Sequence, residues 1–210
     1  MRKSFLLLFA ACALFSAAAC AAGGPLLPKF DYAKIANPVW RLPEMHLRDP
    51  AVLVQDGTAY VFFTYYDPKA KTWHIGLSTT EDFRSFSPIE KISPEGYASP
   101  GNVIRTEKGW ALCYQQYRAF PHYLCLSFSE DLRHWSPPEK IFNTGPENTW
   151  NLDKRVIDPF LAAWQGTYYC YYVGSTRWGK PSGHNLIGVC ASEDLKTWRD
   201  LSLDKPVRSE

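Results

Sequence analysis

An all-β fold, a β-propeller of four-stranded antiparallel blades, is predicted by three features of this 210-residue chain. An X-Pro pair precedes an apolar run three times: Asp49-Pro50 before Ala51-Val52-Leu53, Ser99-Pro100 before Gly101-Asn102-Val103-Ile104, and Asp158-Pro159 before Phe160-Leu161. Each pair opens the same series of landmarks: a Gly turn, a long aromatic strand, a further strand, and a Glu-Asp turn closing on Phe86, Trp135 or Trp198. No helical pattern of comparable length appears, and apolar or β-branched runs bounded by Gly, Pro and Asp are strand signals.

The first unit runs from Asp49 through Asp56-Gly57 to the strand Ala59–Tyr66, then His74–Ser78 and Thr80-Glu81-Asp82. The second has Lys108-Gly109, Trp110–Tyr114, Tyr123–Ser127 and Ser129-Glu130-Asp131. The third has Gln165-Gly166, Thr167–Tyr172, Leu186–Cys190 and Ser192-Glu193-Asp194. Pro50, Pro100 and Pro159 are spaced near, and somewhat above, the roughly 40–50-residue period of four-stranded blades. Three units fall short of the roughly four to eight blades that close a ring. The expectation is therefore a partial propeller over residues 46–210, interrupted where a fourth blade would begin.

Ahead of the repeats, Arg2 and Lys3 precede an apolar Phe5–Phe15 core too short to span a bilayer, and Ser16–Ala22 supplies small residues for cleavage. Residues 1–22 read as an export signal, so the mature protein is expected in the periplasm, at the cell surface or outside the cell. Ala17-Ala18-Ala19-Cys20 resembles a bacterial lipoprotein box, although Ala17 stands where leucine is usual. Cleavage before Cys20 would leave an outer-membrane lipid anchor; cleavage after Ala19 or Ala22 would not, and both remain open. Residues 23–45 read as a linker that contributes an edge strand.

A net charge of +2 points to neither a nucleic-acid partner nor an acidic tail. The chain is 46% hydrophobic and 15% aromatic, with 8 Trp, which suits both packed β cores and the flat faces on which sugars stack. Cys113, Cys125, Cys170 and Cys190 follow the signal. In an exported protein, cross-strand bridges Cys113–Cys125 and Cys170–Cys190 are conceivable, as are four buried thiols. Cys113 and Cys170 each stand four residues after a turn glycine and are read as equivalent. No spacing resembles a zinc site.

The repeats act as an internal control. Asp82, Asp131 and Asp194 occur in every unit and read as turn residues rather than catalysts, as do Glu81, Glu130 and Glu193. Pro50, Pro100 and Pro159 also persist. The residue before them varies: Asp49, Ser99, Asp158. Equivalent positions at the start of inner strands face one end of a propeller axis, so Asp49 and Asp158 would converge with Ser99 between them. Paired carboxyl groups are what glycosidic hydrolysis needs, one to activate water and one to protonate the leaving oxygen.

With those residues in hand, the chain from about 46 to 200 resembles five-bladed propeller glycoside hydrolases, above all family 43, the arabinofuranosidases, arabinanases and β-xylosidases. The resemblance rests on Asp49-Pro50, Ile157-Asp158-Pro159 and the Ser-Glu-Asp-Leu-x-x-Trp endings. It implies three blades of five and an inverting hydrolysis of arabinose- or xylose-containing glycans. Asp49 would be the general base and Asp158 the residue that tunes the acid's pKa. The family's general acid is a fourth-blade glutamate, which no residue of this chain matches; Glu147, in the loop before the third unit, is read as a surface residue. The second-blade aspartate of many members is absent near Pro100. Arg48, Ser99 and Trp150 are expected substrate contacts, with Trp150 stacking on a sugar. Some members hold calcium or another ion on the axis, but no ligands can be named, and no metal or other cofactor is called for. The partner is an oligo- or polysaccharide. The alternatives are a non-catalytic carbohydrate-binding propeller and a glycoside phosphorylase, the latter a poor fit to export.

Overall fold

Three antiparallel sheets follow one another along the chain, one for each sequence unit. The computed structural model describes residues 32–118, 120–177 and 183–207; the export signal and Cys20 lie outside them. The first sheet is β1 (His46–Gln55), β2 (Thr58–Asp67), β3 (Thr72–Thr80) and β4 (Glu90–Lys91), in that order. The third repeats it with β10 (Ile157–Trp164), β11 (Thr167–Ser175), β12 (Asn185–Ser192) and β13 (Arg199–Asp200).

The second sheet departs from this plan. Its inner strand is split into β5 (Tyr97–Ala98) and β6 (Val103–Thr106), both paired to β7 (Gly109–Gln116), which continues to β8 (Tyr123–Ser129) and β9 (Glu139–Phe142). The cause is the residues between the two pieces. Gly101 runs so close to the third sheet that a Cβ there would lie 1.6 Å from the Pro159 carbonyl oxygen. The Asn102 amide then stands in for a strand: its Oδ1 accepts the Leu161 N–H at 2.7 Å and its Nδ2 donates to the Leu161 carbonyl at 2.9 Å.

Side chains alternate across each strand, and the sheets pack face against face. Phe62, Ile75 and Leu77 of the first meet Leu112, Tyr114 and Cys125 of the second. Ala111, Cys113, Leu124 and Leu126 of the second meet Leu161, Cys170, Tyr172 and Cys190 of the third. The outward face of the third sheet keeps Phe160, Trp164, Tyr171 and Ile187 exposed.

The aspartates shared by all units build turns. Oδ1 of Asp82, Asp131 and Asp194 accepts two backbone N–H groups each, from Arg84 and Ser85, Arg133 and His134, and Lys196 and Thr197, at 2.7–2.9 Å. These bonds hold the three carboxyl groups below the usual carboxylate range. The next residue takes a positive φ in every case: Phe83 53°, Leu132 66°, Leu195 62°. Trp135 then packs edge-on against Phe62 of the first sheet, 5.4 Å between rings.

Two expectations need correction here. Residues 32–45 contain a single 3-10 turn, Tyr32–Lys34, and no strand; Pro38 and Pro43 remove N–H donors that a sheet edge would use. The segment instead supplies Trp40, stacked on Phe86 at 4.5 Å and edge-on to Phe63. Cys113 and Cys170 are not equivalent. Gly109 opens β7 opposite Thr106, whereas Gly166 lies within its turn, so the two registers differ by one residue. Cys113 therefore faces the third sheet and Cys170 faces the second. Cys113 pairs with Leu126 and Cys125 with Tyr114, placing those two thiols on opposite faces and excluding a bridge. Cys170 lies directly opposite Cys190, and all four are buried free thiols.

Candidate functional site

Each inner strand breaks its ladder at the X-Pro pair. In β1 the register jumps between Arg48, paired with Thr64, and Ala51, paired with Phe62, so Asp49 and Pro50 together oppose Phe63. In β10 the jump falls between Ile157 and Phe160, so Asp158 and Pro159 oppose Tyr172. This two-against-one arrangement is a β-bulge, a device that re-aims a side chain. Asp49, Ser99 and Asp158 all carry a positive φ, 53°, 52° and 50°. Few non-glycine residues adopt it, and each instance costs on the order of 1–3 kcal/mol. The cost recurs at three equivalent places, each stabilised by buried neighbours.

Those neighbours tie the sheets together. Thr64, fully buried on β2, donates its hydroxyl to Asp49 Oδ2 at 2.7 Å and accepts the Ser99 N–H at 2.7 Å. Gln115 repeats the second contact one sheet on, its Oε1 accepting the Asp158 N–H. Thr64 and Gln115 pair with the residues just before the Asp49-Pro50 and Ser99-Pro100 pairs, Arg48 and Ala98. Ser99 Oγ donates to Asp49 Oδ2 at 3.3 Å, and the same hydroxyl favours the ionised form of the Asp158 carboxyl. One hydroxyl thus acts on both aspartates, bonding Asp49 and stabilising the charge of Asp158.

The Asp158 residue keeps an open face to solvent, yet atoms crowded round its carboxyl remove part of its hydration. That desolvation raises its proton affinity above the usual value. The Ser99 hydroxyl opposes the rise, the Asp49 charge adds to it, and Arg155 and Arg48 pull it down. Arg48 also lies over the Trp73 ring, 5.2 Å from its centroid. Asp49 Oδ2 is anchored twice, while Oδ1 takes no protein hydrogen bond among the described residues.

Asp49, Ser99, Asp158 and Arg48 therefore come together. Trp150 does not join them as a sugar platform. It is 8% exposed, lies almost parallel to Tyr172 at 6.3 Å, and donates its Nε1–H to the Ser202 carbonyl. It covers Gly174, where any Cβ would collide with the indole. Proximity in sequence to the third inner strand could not reveal that the indole turns inward. Glu147 is exposed beside Arg199, Asp200 and Leu203, among none of the groups around Asp49. Thr64 and Gln115 are site residues that the sequence reading passed over. The signal was a lone hydroxyl within Tyr60-Val61-Phe62-Phe63-Thr64, and an amide directly after Trp110–Tyr114. Among the described residues no cluster of three His, Cys, Asp or Glu side chains is arranged to hold a metal ion.

No family model and no curated relative matches this chain. Solved structures do. A family 117 glycoside hydrolase from the marine bacterium Zobellia galactanivorans superposes with a TM-score of 0.59 at 17% identity, over 77% of this chain and 57% of its own. An N-acetylgalactosamine deacetylase from F. plautii, solved with blood group B trisaccharide, gives 0.64 at 12% identity, over 87% and 58%. A family 130 glycoside hydrolase that targets β-1,2 mannosidic linkages in Candida mannan gives 0.56 at 18% identity, over 75% and 49%. The chain spans less than two thirds of each neighbour's length. At these identities the shared property is the fold.

Proposed function

We propose that this protein is an exported glycoside hydrolase built on a β-propeller, with Asp49 as general base and Asp158 as the residue that sets the acid's protonation. The observation that carries the reading is the convergence of two carboxyl groups from two different sheets: Asp49 takes the Ser99 hydroxyl bond, and its charge and that hydroxyl both act on Asp158. Asp49 is held by one oxygen through Thr64 and Ser99, which leaves the other to take a proton from water. Asp158, with Arg48 and Arg155 beside it, places a tunable charge next to that water. The propeller reading is supported by three sheets stacked face to face, with the bulges of the first and third in equivalent register. On this reading the exposed apolar face of the third sheet is where a further blade packs. Arabinose- and xylose-containing glycans and an inverting single displacement belong to the proposal through the family 43 resemblance, and export or a Cys20 lipid anchor through the N-terminal pattern.

A second reading has its own support. No described glutamate joins Asp49 and Asp158: Glu44 pairs with Lys69, Glu95 with Arg118, and Glu81, Glu130 and Glu193 sit in turns. A chain that binds glycans without cleaving them fits that observation. Release of sugar from aryl arabinofuranosides, aryl xylosides and arabinan, measured for wild type and Asp49→Asn, separates the two. The hydrolase reading expects turnover that falls about 10²–10⁴-fold in the variant with the fold intact. Full activity in Asp49→Asn overturns the base assignment; glycan binding without turnover in either protein favours the second reading.

A further inference from the structure

A cleft of about 670 Å³ opens between the loop joining β7 to β8 and the loop leading into β10, lined by Tyr117, Phe120, His122, Leu152 and Arg155 among others. Its volume is in the range of small-molecule sites. Three of these side chains expose large apolar surface: Phe120 at 67%, Leu152 at 58% and Tyr117 at 38%. Grouped apolar exposure of this kind marks a contact surface.

The rings are arranged as a row. Tyr117 and His122 stack at 5.2 Å with planes 21° apart, and Phe120 meets the His122 ring edge-on at 5.6 Å. At the other end Tyr117 touches Trp73 at 6.0 Å, and Trp73 lies under Arg48. Burial, then the Arg155 charge, lowers the His122 pKa, so at neutral pH its ring is an uncharged flat surface. His122 Nδ1 is buried with no hydrogen-bond partner among the described residues. Arg155 faces both ways: it lines the cleft, and its charge acts on Asp158.

We propose that this cleft is a second sugar position, in which the apolar face of one ring lies on Tyr117, Phe120 and Leu152 while the neighbouring sugar of the same chain occupies the space at Asp49 and Asp158. The proposal rests on the carbohydrate-active reading and deepens it: the ligand is a glycan of at least two linked sugars, running outward from the carboxylates along the aromatic row. The arrangement suits a sugar because apolar rings line the cleft together with the polar Asp153 and Arg155. A protein partner would use the same exposed rings, and the test includes that outcome.

Calorimetric titration of wild type, Phe120→Ala, Tyr117→Ala and Asp49→Asn with xylotriose, arabinotriose and mannotriose decides the matter, alongside the oligomeric state by light scattering. The expected result is that wild type binds at least one trisaccharide and that Phe120→Ala and Tyr117→Ala each weaken it about five- to tenfold. Phe120 is the most exposed ring of the row, so its removal leaves folding unaffected. Unchanged affinity in both aromatic variants overturns the second position; if Asp49→Asn alone weakens binding, the carboxylate site stands without it. No trisaccharide binding to wild type also overturns it, and aryl-glycoside turnover then decides the hydrolase reading separately. Wild-type self-association that Phe120→Ala abolishes assigns the rings to a protein contact and overturns it as well.

Discussion

Thr64 holds Asp49 in place: the buried threonine hydroxyl donates to the aspartate's Oδ2 at 2.7 Å while its lone pair receives the N–H of Ser99 from the next sheet. Thr64→Val keeps the shape and removes both bonds. The Ser99 N–H is then left unpaired in a buried position, a loss of about 1–3 kcal/mol. Urea unfolding should show a lowered midpoint with unchanged slope. A midpoint equal to wild type would mean that the Thr64 link carries no net stability.

The Ser99 hydroxyl donates to Asp49 and acts on Asp158. Its dipole favours the ionised form of Asp158, so its removal favours the protonated one. In Ser99→Ala the Asp158 pKa should move further upward. A carbon-13 titration of side-chain carboxyls in wild type and variant reads this directly. A downward movement would show that Ser99 bonds the protonated carboxyl instead.

The turn carboxylates give stability an acid dependence of determined sign. Asp82, Asp131 and Asp194 have folded-state pKa values below the reference 3.8. Their contribution is fully present above that value and is lost as pH falls from it through the lower folded-state values. Asp158, whose pKa is raised, works the other way: its ionised form is disfavoured in the fold, and that penalty disappears on acidification. Replacing all three turn aspartates by asparagine keeps the Oδ1 acceptor and removes the titration. Chemical unfolding at pH 6 and pH 3 should show a smaller acid loss in the triple variant. An equal loss would place the acid sensitivity in other groups.

Much of this was legible in the chain. Repetition of Ser/Thr-x-Asp before an aromatic residue identified a turn, because an Asp side chain closing on N–H groups two and three residues ahead is a local event. The alternation of aspartate and serine before invariant prolines marked the positions that converge, and all three take a positive φ where the inner strand breaks its ladder. What stayed hidden depends on which face of a strand meets which neighbour. Trp150 precedes an inner strand yet is sealed under Ser202, whereas Trp73, on β3, lies beside Arg48 of the inner strand. The mismatch of Cys113 and Cys170 came from one residue of turn register, which shifts every later side chain to the opposite face. The Asn102 link to Leu161 joins residues of different sheets, and no local pattern announces it.

Gly101 is a point of close approach between the second and third sheets. A methyl group there would sit 1.6 Å from the Pro159 oxygen and 2.9 Å from Cys113 Sγ. The first obstacle is backbone, which cannot rotate aside, so Gly101→Ala must separate the sheets and stretch the Asn102–Leu161 pair beside it. A penalty of about 3 kcal/mol is expected for such overpacking, a fall in Tm of roughly 6–12 °C for a chain of this size. Because Pro159 adjoins Asp158, the same change should alter the carboxyl resonance of Asp158 even where the protein remains folded. Gly166→Ala is the control: nothing lies within 4 Å of its Cβ position, although its φ of 78° makes it mildly strained. If the two variants melt together, the close approach at Gly101 contributes nothing beyond backbone conformation.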